Sequence, residues 1–529
     1  MDEFKDKIPK RHGGLFFNPP LSNWKEEALR NREKAVKAIV WGQNAVKVRA
    51  ALKLPGDQPI VMTGHQPVFF HPGLWTKCLA ASYLAESIQG TACHQLTDTA
   101  LPAEYLHYLP EVEDNGKARM RTLQFFKNKE FIDQEKTTPY AMMPAPDHAA
   151  VKYIFSEAQT YCPLAVKTAM QGIEERFMGD LLKNATWNEF HLSTLKYLDA
   201  LSETKRLYLE AHRLWSSDPY YEFLAYWMSH LPELSEAYNK ALNDYRAKYG
   251  IKHDLTPLPN LKFENWWFEI PFWGVTKYNQ RQSLWAKNDG KHLVLKVKGG
   301  EGTFQVNYDN LRGELGTLPI KIWPKALPQT FFSRMYLCDF FIHGIGGSAY
   351  EEVNDLFIER VLGVMPPSFG TATATWLVDP KESEAMDKIL SFEEKVLTWE
   401  RNLEKNPEYL FTRAAAWKTE LPPFMQAAFQ SCLNNPPLAA KAAEKGKWLA
   451  ALQNPAQRAV ASAKIKEINP AIYEGLTEAL KAIEMAKMEM DQLKQVRDVL
   501  AFREYPYFCF TPEAIQELKS LIRSMIPSI

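Results

Sequence analysis

A group of hydrogen-bonding side chains follows a short apolar run near the N-terminus, in the segment PIVMTGHQPVFFHPGLWTKC. These side chains are His65, Gln66, His71 and Lys77. The apolar run predicts a strand that ends at Gly64, and the pattern from Leu74 onward predicts a helix. A helix N-terminus favours anions because its free N–H groups and its dipole both attract negative charge. We therefore predict an anion site built from these side chains and from the backbone at Gly64 and Gly73. A structural turn with solvated or capping histidines is the alternative interpretation.

A second segment, FFSRMYLCDFFIHGIGGSAYEEVNDLF, repeats this arrangement. An aromatic-rich run leads into a glycine-dense turn and then into an amphipathic helix. The candidate binding residues there are His343, Gly344, Gly346, Gly347 and Tyr350. Glycines this close together predict positive φ angles or a close approach by another group. Their spacing does not match the G-x-G-x-x-G loop of dinucleotide-binding folds. Because ligands of open α/β sheets lie at the carboxyl ends of strands, the two junctions are predicted to form two walls of one pocket.

Neither the cysteines nor the histidines form a compact metal-binding pattern. The six cysteines are scattered, and the twelve histidines include no H-E-x-x-H motif. We therefore predict no metal, and we interpret the cysteines as buried core residues rather than as a disulfide framework. A functional thiol at Cys78 or Cys338, on the approaches to the two junctions, is the alternative.

The overall charge indicates a small-molecule partner. Lysine plus arginine equals aspartate plus glutamate, at 63 each, so no net charge favours nucleic acid or an anionic membrane. The N-terminal residues lack the apolar core of a signal peptide, and no apolar run reaches the roughly 18 residues that a membrane span needs. The sequence therefore predicts a cytoplasmic protein with no nucleic-acid or membrane partner.

The periodicity along the chain predicts an α/β core interrupted by a helical insertion. Residues 1–112 are predicted to form the first part of the core, and residues 113–257 a mainly helical insertion. Residues 258–380 are predicted to form an antiparallel β element and the second part of the core. Residues 381–529 are predicted to form a helical arm. In the first part, TACHQLTD predicts a strand that ends in the carboxylate of Asp98.

The last long helical segment, from Tyr473 to Arg503, has a heptad pattern. One core position holds Leu476, Ile483, Met490 and Arg497, and the other holds Ala479, Ala486, Leu493 and Leu500. Alanine and arginine in the seam favour an antiparallel hairpin with residues 381–405 over a parallel zipper. An exposed stripe on that hairpin would make a homodimer. A plain helical bundle is the alternative.

The order of these motifs resembles that of the enzymes that add cysteine in bacillithiol biosynthesis. That family opens with a Gly-Gln-Gln…Gly-Pro-Leu-Tyr…Lys signature, and the corresponding positions here are Gly64, Gln66, Gly73, Leu74, Trp75 and Lys77. Its later Gly-Gly-Pro-Gly-Glu-Ile-Ala-Tyr turn is matched more loosely by Gly346, Gly347, Tyr350 and Glu351. A Tyr238-Asn239 pair on the insertion and the C-terminal heptads complete the resemblance.

The resemblance implies a Rossmann-like core of the class I synthetase and nucleotidyltransferase type, with a helical insertion and a dimerising coiled-coil arm. It also implies ATP or ADP as a cofactor. The implied activity is that of a ligase that joins a cysteine-like amino acid to the amine of a small sugar-type acceptor. Where the family's second strand ends in a Glu-Asp-His-Asp cluster, this chain keeps only Asp98, which indicates a divergent paralogue.

Under this resemblance, the first group of site residues would bind the activated carboxyl group. The backbone amides near Gly73 and Gly346 would hold phosphates, and Lys77 and Arg334 would offset negative charge in the transition state. An ion pair with Asp339 or another nearby acid is the alternative role for Arg334.

The second group would act on the attacking amine and on the developing oxyanion. Asp98 or Glu351 would hold or deprotonate the amine, and His65 or His343 would donate to the oxyanion. Loss of the rest of the acidic cluster favours a different hypothesis, a non-catalytic nucleotide- or metabolite-binding dimer on the same fold. Both hypotheses remain open at this point.

Overall fold

The apolar runs of the sequence form most strands of two six-stranded sheets in the computed structural model, which also contains two two-stranded sheets. The structure describes residues 6–102, 107–113, 116–126, 137–252, 258–300 and 302–526. In chain order the strands are β1 (Gly14–Asn18), β2 (Ile39–Val40), β3 (Gln43–Asn44), β4 (Ile60–His65), β5 (Thr91–Leu96), β6 (Tyr108–Val112), β7 (Ala118–Thr122), β8 (Leu207–Glu210), β9 (Phe263–Glu264), β10 (Trp267–Val275), β11 (Arg281–Asn288), β12 (His292–Val297), β13 (Phe304–Asn307), β14 (Lys321–Pro324), β15 (Phe340–His343) and β16 (Phe369–Thr375).

The helices are longest in the middle and at the end of the chain. In chain order they are α1 (Trp24–Lys37), α2 (Ala45–Ala51), α3 (Pro72–Ser87), α4 (His148–Tyr161), α5 (Leu164–Lys183), α6 (Trp187–Ser202), α7 (Ala211–Leu214), α8 (Asp218–Ser229), α9 (Leu231–Tyr249), α10 (Leu311–Thr317), α11 (Ala326–Phe332), α12 (Ile345–Leu362), α13 (Pro380–Leu390), α14 (Glu393–Lys405), α15 (Tyr409–Thr412), α16 (Trp417–Glu420), α17 (Gln426–Leu433), α18 (Pro436–Ala451), α19 (Arg458–Gly475), α20 (Thr477–Leu500) and α21 (Pro512–Met525).

Two compact units divide these elements. The first comprises Met1–Leu109, Arg121–Val378 and Arg503–Ile529, and the second comprises Pro110–Met120 and Asp379–Phe502. The second unit begins close to the predicted start of the helical arm, while the last residues of the chain, including α21, group with the first unit. The predicted division into four domains remains a prediction.

The central sheet of the first unit has the strand order β1-β16-β15-β4-β5-β8. β1 is antiparallel to β16, and the other neighbours are parallel. The centre of the sheet is apolar on both faces, as expected of parallel strands covered by helices. The mixed α/β class predicted from the sequence is confirmed.

The two predicted junctions belong to adjacent strands of this sheet. β4 pairs in parallel with β15, with Met62 opposite Phe341. From β4 the chain passes through α3 to β5 on one side, and from β15 it passes through α12 to β16 on the other side. The strand order therefore reverses between β4 and β15, which is where open α/β sheets bind ligands. The prediction that the strands before Gly64 and Gly344 share one sheet is confirmed.

Helix α3 is held at its start by local capping and along its length by packing. Its first residue is Pro72, whose missing N–H is not needed there, and the His71 side chain caps it by accepting from the Gly73 N–H at 3.1 Å. Nearly all of its residues are buried, including Trp75 and Cys78. The helix thus has no solvent-facing side, unlike the amphipathic helix that the sequence predicts.

The predicted helical insertion contains two strands, β7 and β8, and the periodicity does not reveal β8. Helices α4 to α6 and α8 to α9 are present as expected, but Leu207–Glu210 forms β8 at the edge of the central sheet, with Glu210 opposite Leu96. A strand of four residues is too short to show a period of two against helices on either side. As a result, part of this segment belongs to the sheet.

The predicted antiparallel β element is also confirmed. Strands β13, β12, β11, β10 and β14 form a second sheet in that order. β11 and β12 form a hairpin in which Gly290 has a φ of +93°, a conformation that glycine accepts readily. Side chains such as Phe272 and Leu295 join one hydrophobic core with the helices α8 and α9.

The second unit is a helical bundle rather than the single charged helix and long heptad helix of the prediction. Residues 380–405 form two helices, α13 and α14, and the heptad segment forms α20 after α19 has ended. Ile483 and Met490 of the predicted seam are buried in a core that also contains Trp399 of α14 and Phe429 of α17. The ion pairs of α20 with α13 and α14 confirm that these helices pair, and the additional helices favour the bundle alternative.

Two predictions from composition can be checked on the described residues. All six cysteines are free and buried, as predicted for core residues. None of the helices in the described ranges combines the length and the hydrophobicity needed to cross a membrane.

Candidate functional site

Four parallel strands bring candidate residues to one edge of the central sheet. Because β15, β4, β5 and β8 are neighbours in register, their carboxyl ends lie side by side. That edge carries His343, the Gly64-His65 pair, Asp98 and Glu210, in the order of the strands. The predicted site residues of the two junctions and of the second strand therefore lie along one sheet edge.

Lys77 has the most unusual electrostatic environment of these residues. It lies one turn inside α3, is 2% exposed, and donates from Nζ to the Gly64 carbonyl oxygen at 2.6 Å. Among the described residues it forms no ion pair with a carboxylate. Burial lowers the pKa of Lys77 to about 8. A buried ammonium group without a counter-charge is costly, and an anionic ligand would supply that charge.

Three imidazole rings surround the side chain of Phe70 close to Lys77. The ring centroids of His65, His94 and His191 lie 5.7, 5.5 and 5.7 Å from that of Phe70. Burial lowers the pKa of His191 to about 3, and burial together with nearby cations lowers those of His65 and His94 well below their ordinary value. These rings are neutral at pH 7. His65 already donates from Nδ1 to the Gln66 carbonyl oxygen at 3.2 Å, so its Nε2 can only accept. His94 and His191 can each donate one hydrogen bond without adding charge.

The first junction uses some of its predicted donors for its own structure. His71 caps α3, so the Gly73 N–H is already bonded, and burial together with Arg503 lowers the pKa of His71 well below its ordinary value. A Cβ on Gly73 would lie 2.8 Å from the Ala374 carbonyl oxygen, which explains the glycine. Gln66 is partly exposed, and its carbonyl accepts from the Val68 N–H. The capping role expected as the alternative for these histidines thus holds for His71.

The glycines of the second junction have no positive φ angle, and one of them shows the close approach by another group that the sequence predicts as the alternative. None of Gly344, Gly346 and Gly347 has a positive φ, and a Cβ on Gly344 or Gly346 would meet nothing within 4 Å. Only a Cβ on Gly347 would be close to another group, at 3.1 Å from His343 Nδ1. Gly346 and Gly347 are simply the first residues of α12, which starts at Ile345 without a side-chain cap. The open backbone at the start of α12 remains compatible with an anion, whereas the positive φ angles considered for these glycines are not observed.

Arg334 and Glu351 bind each other. Arg334 Nη1 lies 2.6 Å from Glu351 Oε2, and its Nη2 lies 2.6 Å from an oxygen of Asp355. Both Arg334 and Glu351 are almost fully buried. Asp339, which the sequence suggests as a partner of Arg334, pairs instead with Arg49. The ion-pair alternative for Arg334 is confirmed with different acids, and this pairing occupies both side chains.

His343 belongs to the same buried group. Its Nε2 lies 3.6 Å from Glu351 Oε1, and its ring stacks on Phe341 with centroids 4.3 Å apart. Burial lowers the pKa of His343 to about 4, although Glu351 acts in the opposite direction. A neutral His343 can still donate one hydrogen bond at the sheet edge. Tyr350, in the second turn of α12, is partly exposed.

Asp98 is the centre of a polar cluster at the ends of β5 and β8. Its Oδ1 accepts from the His212 backbone N–H at 2.9 Å, and its Oδ2 lies 2.5 Å from His212 Nδ1. Asn188 of α6 donates from Nδ2 to Asp98 Oδ2 at 2.6 Å and to Glu210 Oε2 at 3.3 Å. Asp98 is fully buried, and His212 and Glu210 are partly exposed.

This cluster is also the place where the described residues could hold a metal ion. One ligand atom each from Asp98, Glu210 and His212 lie within 4.8 Å of one another. The sequence predicts no metal because Asp98 is far from Glu210 and His212 in the chain and the three residues match no short motif. No helical or motif pattern marks Asn188, Glu210 or His212. The one signal that could have found two of them is an acid and a histidine, in LEAH, directly after a short apolar run.

The described residues therefore form two chemical groups along one edge, an ammonium with neutral imidazoles beside β4 and a carboxylate–imidazole cluster beside β5 and β8. Tyr350 and the start of α12 lie next to the first group along the sheet. No protein-family model matches this chain, and no curated protein matches it significantly.

Proposed function

We propose that this protein is an amide-forming ligase or transferase that joins the carboxyl group of an amino acid to the amine of a small, sugar-type acceptor. The proposal includes a Rossmann-like core and follows the resemblance to the cysteine-adding enzymes of bacillithiol biosynthesis. The observation that carries it is the buried Lys77, which has no carboxylate partner among the described residues and lies where the strand order reverses.

Lys77 supports a substrate with a negative charge. An anion beside Nζ would offset the ammonium charge in a region from which water is largely excluded, where such a contact is stronger than in bulk water. The neutral rings of His94 and His191 add hydrogen-bond donors without adding repulsive charge. A carboxylate or an acyl phosphate of an activated amino acid fits this chemistry.

The Asp98 cluster supports a second substrate with an amine. An amine or ammonium group is a hydrogen-bond donor, and the exposed edges of Glu210 and His212 offer acceptors next to the buried Asp98. Because β4 and β5 are adjacent, the two groups of the site lie on neighbouring strand ends. That placement suits a reaction in which an amine attacks an activated carboxyl group.

Glu351 and Arg334 have structural roles in the proposal, in place of the roles toward the amine and the transition state that the resemblance implies. Their ion pair is buried and is shared with Asp355. Their role in the proposal is to hold the start of α12 and His343 in place. ATP or ADP remains part of the proposal as the activating nucleotide, with its phosphates near the free amides at the start of α12.

The first prediction tests the anion site directly. Replacing Lys77 with Met should weaken the binding of phosphate or of an amino-acid carboxylate by about 1.5–3 kcal/mol, roughly ten- to a hundredfold, because the charge-assisted contact is lost. Binding is measured by isothermal titration calorimetry with inorganic phosphate and with cysteine. The control is Lys388→Met, because Lys388 is exposed on α13 and its one ion pair within the described ranges is with Glu384.

Activity is then tested by incubating the protein with an amino acid, an amino sugar and ATP, and by searching for the amide product with mass spectrometry. We expect product with the unchanged protein and with Lys388→Met, and none with Lys77→Met. Anion binding without product for any amino-acid and amino-sugar pair would favour the non-catalytic binding protein. Equal anion binding by Lys77→Met and Lys388→Met would contradict the proposed site.

A further inference from the structure

The polar cluster around Asp98 concentrates negative charge, because ligand atoms of two carboxylate groups lie within 4.8 Å of each other. Asp98 and Glu210 place two carboxylates beside His212, and the described donors to them are Asn188 Nδ2, the His212 backbone N–H, the His212 ring and Arg213. His212 Nδ1 and Asp98 Oδ2 are only 2.5 Å apart, so a proton or a metal ion must lie between their lone pairs. In the metal-free chain that cation is a proton.

An independent observation comes from Asn188. This side chain is 4% exposed, and its carboxamide lies against both carboxylates. Its Oδ1 is buried and has no hydrogen-bond partner among the described residues. A buried amide oxygen without a partner is unfavourable, and a cation between the carboxylates would provide one after rotation of the amide.

We propose that Asp98, Glu210 and His212 bind a divalent cation, with Asn188 Oδ1 as a fourth ligand. Two ligand atoms on opposite sides of such an ion lie about 4–4.4 Å apart, because each bond is about 2.0–2.2 Å long. The three protein atoms already lie within 4.8 Å of one another, so small side-chain movements are enough. A donor set of carboxylate, imidazole and amide groups suits Mn²⁺ or Zn²⁺ better than Mg²⁺.

The position of the cluster gives the cation a role in the proposed function. It lies at the carboxyl ends of β5 and β8, on the side of the site that the amine is expected to occupy. A cation there would hold a hydroxyl group of the acceptor, which leaves the lone pair of the attacking amine free. The inference rests on the proposed function for that role only, because metal binding can be measured without turnover.

The test uses the full-length protein after removal of metals with a chelator. Mn²⁺ alone is titrated and followed by calorimetry and by electron paramagnetic resonance, with Zn²⁺ and Mg²⁺ in parallel titrations. We expect saturable binding of one Mn²⁺ or Zn²⁺ per chain, and affinity reduced at least about tenfold in Glu210→Gln and in His212→Gln. The control is Glu222→Gln, because Glu222 is an exposed acid on α8 that pairs with Arg312.

Asn188→Asp is a second variant that keeps the inference testable if the others fold poorly. A third carboxylate should lower the melting temperature of the metal-free protein by charge repulsion, and Mn²⁺ should restore it with a larger shift than in the unchanged protein. The inference is overturned if neither Mn²⁺ nor Zn²⁺ binds saturably, or if Glu210→Gln binds them as well as Glu222→Gln does. Loss of anion binding in Lys77→Met with intact metal binding would show that the two halves of the site are independent.

Discussion

Lys77 combines a functional position with a local loss of stability. Its ammonium group is buried against the Gly64 carbonyl, and burial lowers its pKa to about 8 from an ordinary value of 10.5. Below pH 8 the charged form is present in both the folded and the unfolded chain, so folding carries the full cost of burying the charge. Between pH 8 and 10.5 the folded chain binds fewer protons, and that cost is progressively removed as the pH rises.

Replacing Lys77 with Met is therefore expected to weaken anion binding but to stabilise the folded protein. Lys77→Met should unfold with a free energy about 2 kcal/mol higher than that of the unchanged protein at pH 7, because no charge is buried. The difference in the free energy of unfolding between the two proteins should be smaller at pH 9.5 than at pH 7. Urea unfolding at the two pH values, in phosphate-free buffer, measures both quantities. A variant that is less stable at both pH values would show that Lys77 already has a counter-charge in the unliganded protein.

At the scale of single elements, the two helices at the site begin in different ways. The start of α3 is closed, because His71 caps it and the Ala374 carbonyl lies against Gly73. The start of α12 is open, because Gly344 provides no side-chain cap and Gly346 is exposed. An anion has freer access to the amides of α12, while α3 contributes through Lys77.

A pair of glycine-to-alanine variants tests this contrast. Gly73→Ala should destabilise the protein by about 1–3 kcal/mol, because its Cβ would lie 2.8 Å from a backbone oxygen that cannot move freely. Gly346→Ala should be neutral or stabilise the protein by about 0.5–1 kcal/mol, because the position is helical and has space for a methyl group. Thermal and denaturant unfolding of the two variants measures both changes in stability. If the turn before α12 were strained, Gly346→Ala would be the more destabilising of the two.

The elements also show which parts of the site the sequence can predict. The strand-to-helix junctions at Gly64 and Gly344 were predictable, because apolar runs and helical periods are local properties. Strand β8 was not predictable, because its four residues lie between helices and gain their conformation from pairing with β5. The partners of Asp98 come from β8 and α6, so their convergence depends on tertiary contacts that no spacing in the chain reveals.

At the scale of the whole molecule, the homodimer remains a prediction, and the second unit limits how it can form. The seam residues Ile483 and Met490 are already buried in the core of that unit. Exposed apolar side chains on α20 are Met485 and Met488, at 69% and 62%. A dimer through this helix must therefore use the face that carries these two methionines.

Light scattering coupled to size-exclusion chromatography tests this version of the prediction. We expect a mass of twice 60.8 kDa for the unchanged protein and of one chain for a Met485→Glu, Met488→Glu double variant. Charged side chains at the centre of an apolar interface lose solvation without gaining a partner. The exposed Lys388→Met variant should keep the mass of the unchanged protein. A monomer at all concentrations would contradict the dimer.

The pairing of β4 with β15 has a consequence for how the protein is made. The first strand leaves the ribosome about 275 residues before its partner, because Ile60–His65 pairs with Phe340–His343. At about 5–20 residues per second, that interval is on the order of 15–55 seconds. During it, the edge of β4 that pairs with β15 presents unpaired backbone N–H and C=O groups and is open to wrong pairing. The central sheet, and with it the site, can be completed only late in synthesis, so we expect production of this protein to depend on chaperones that shield nascent chains.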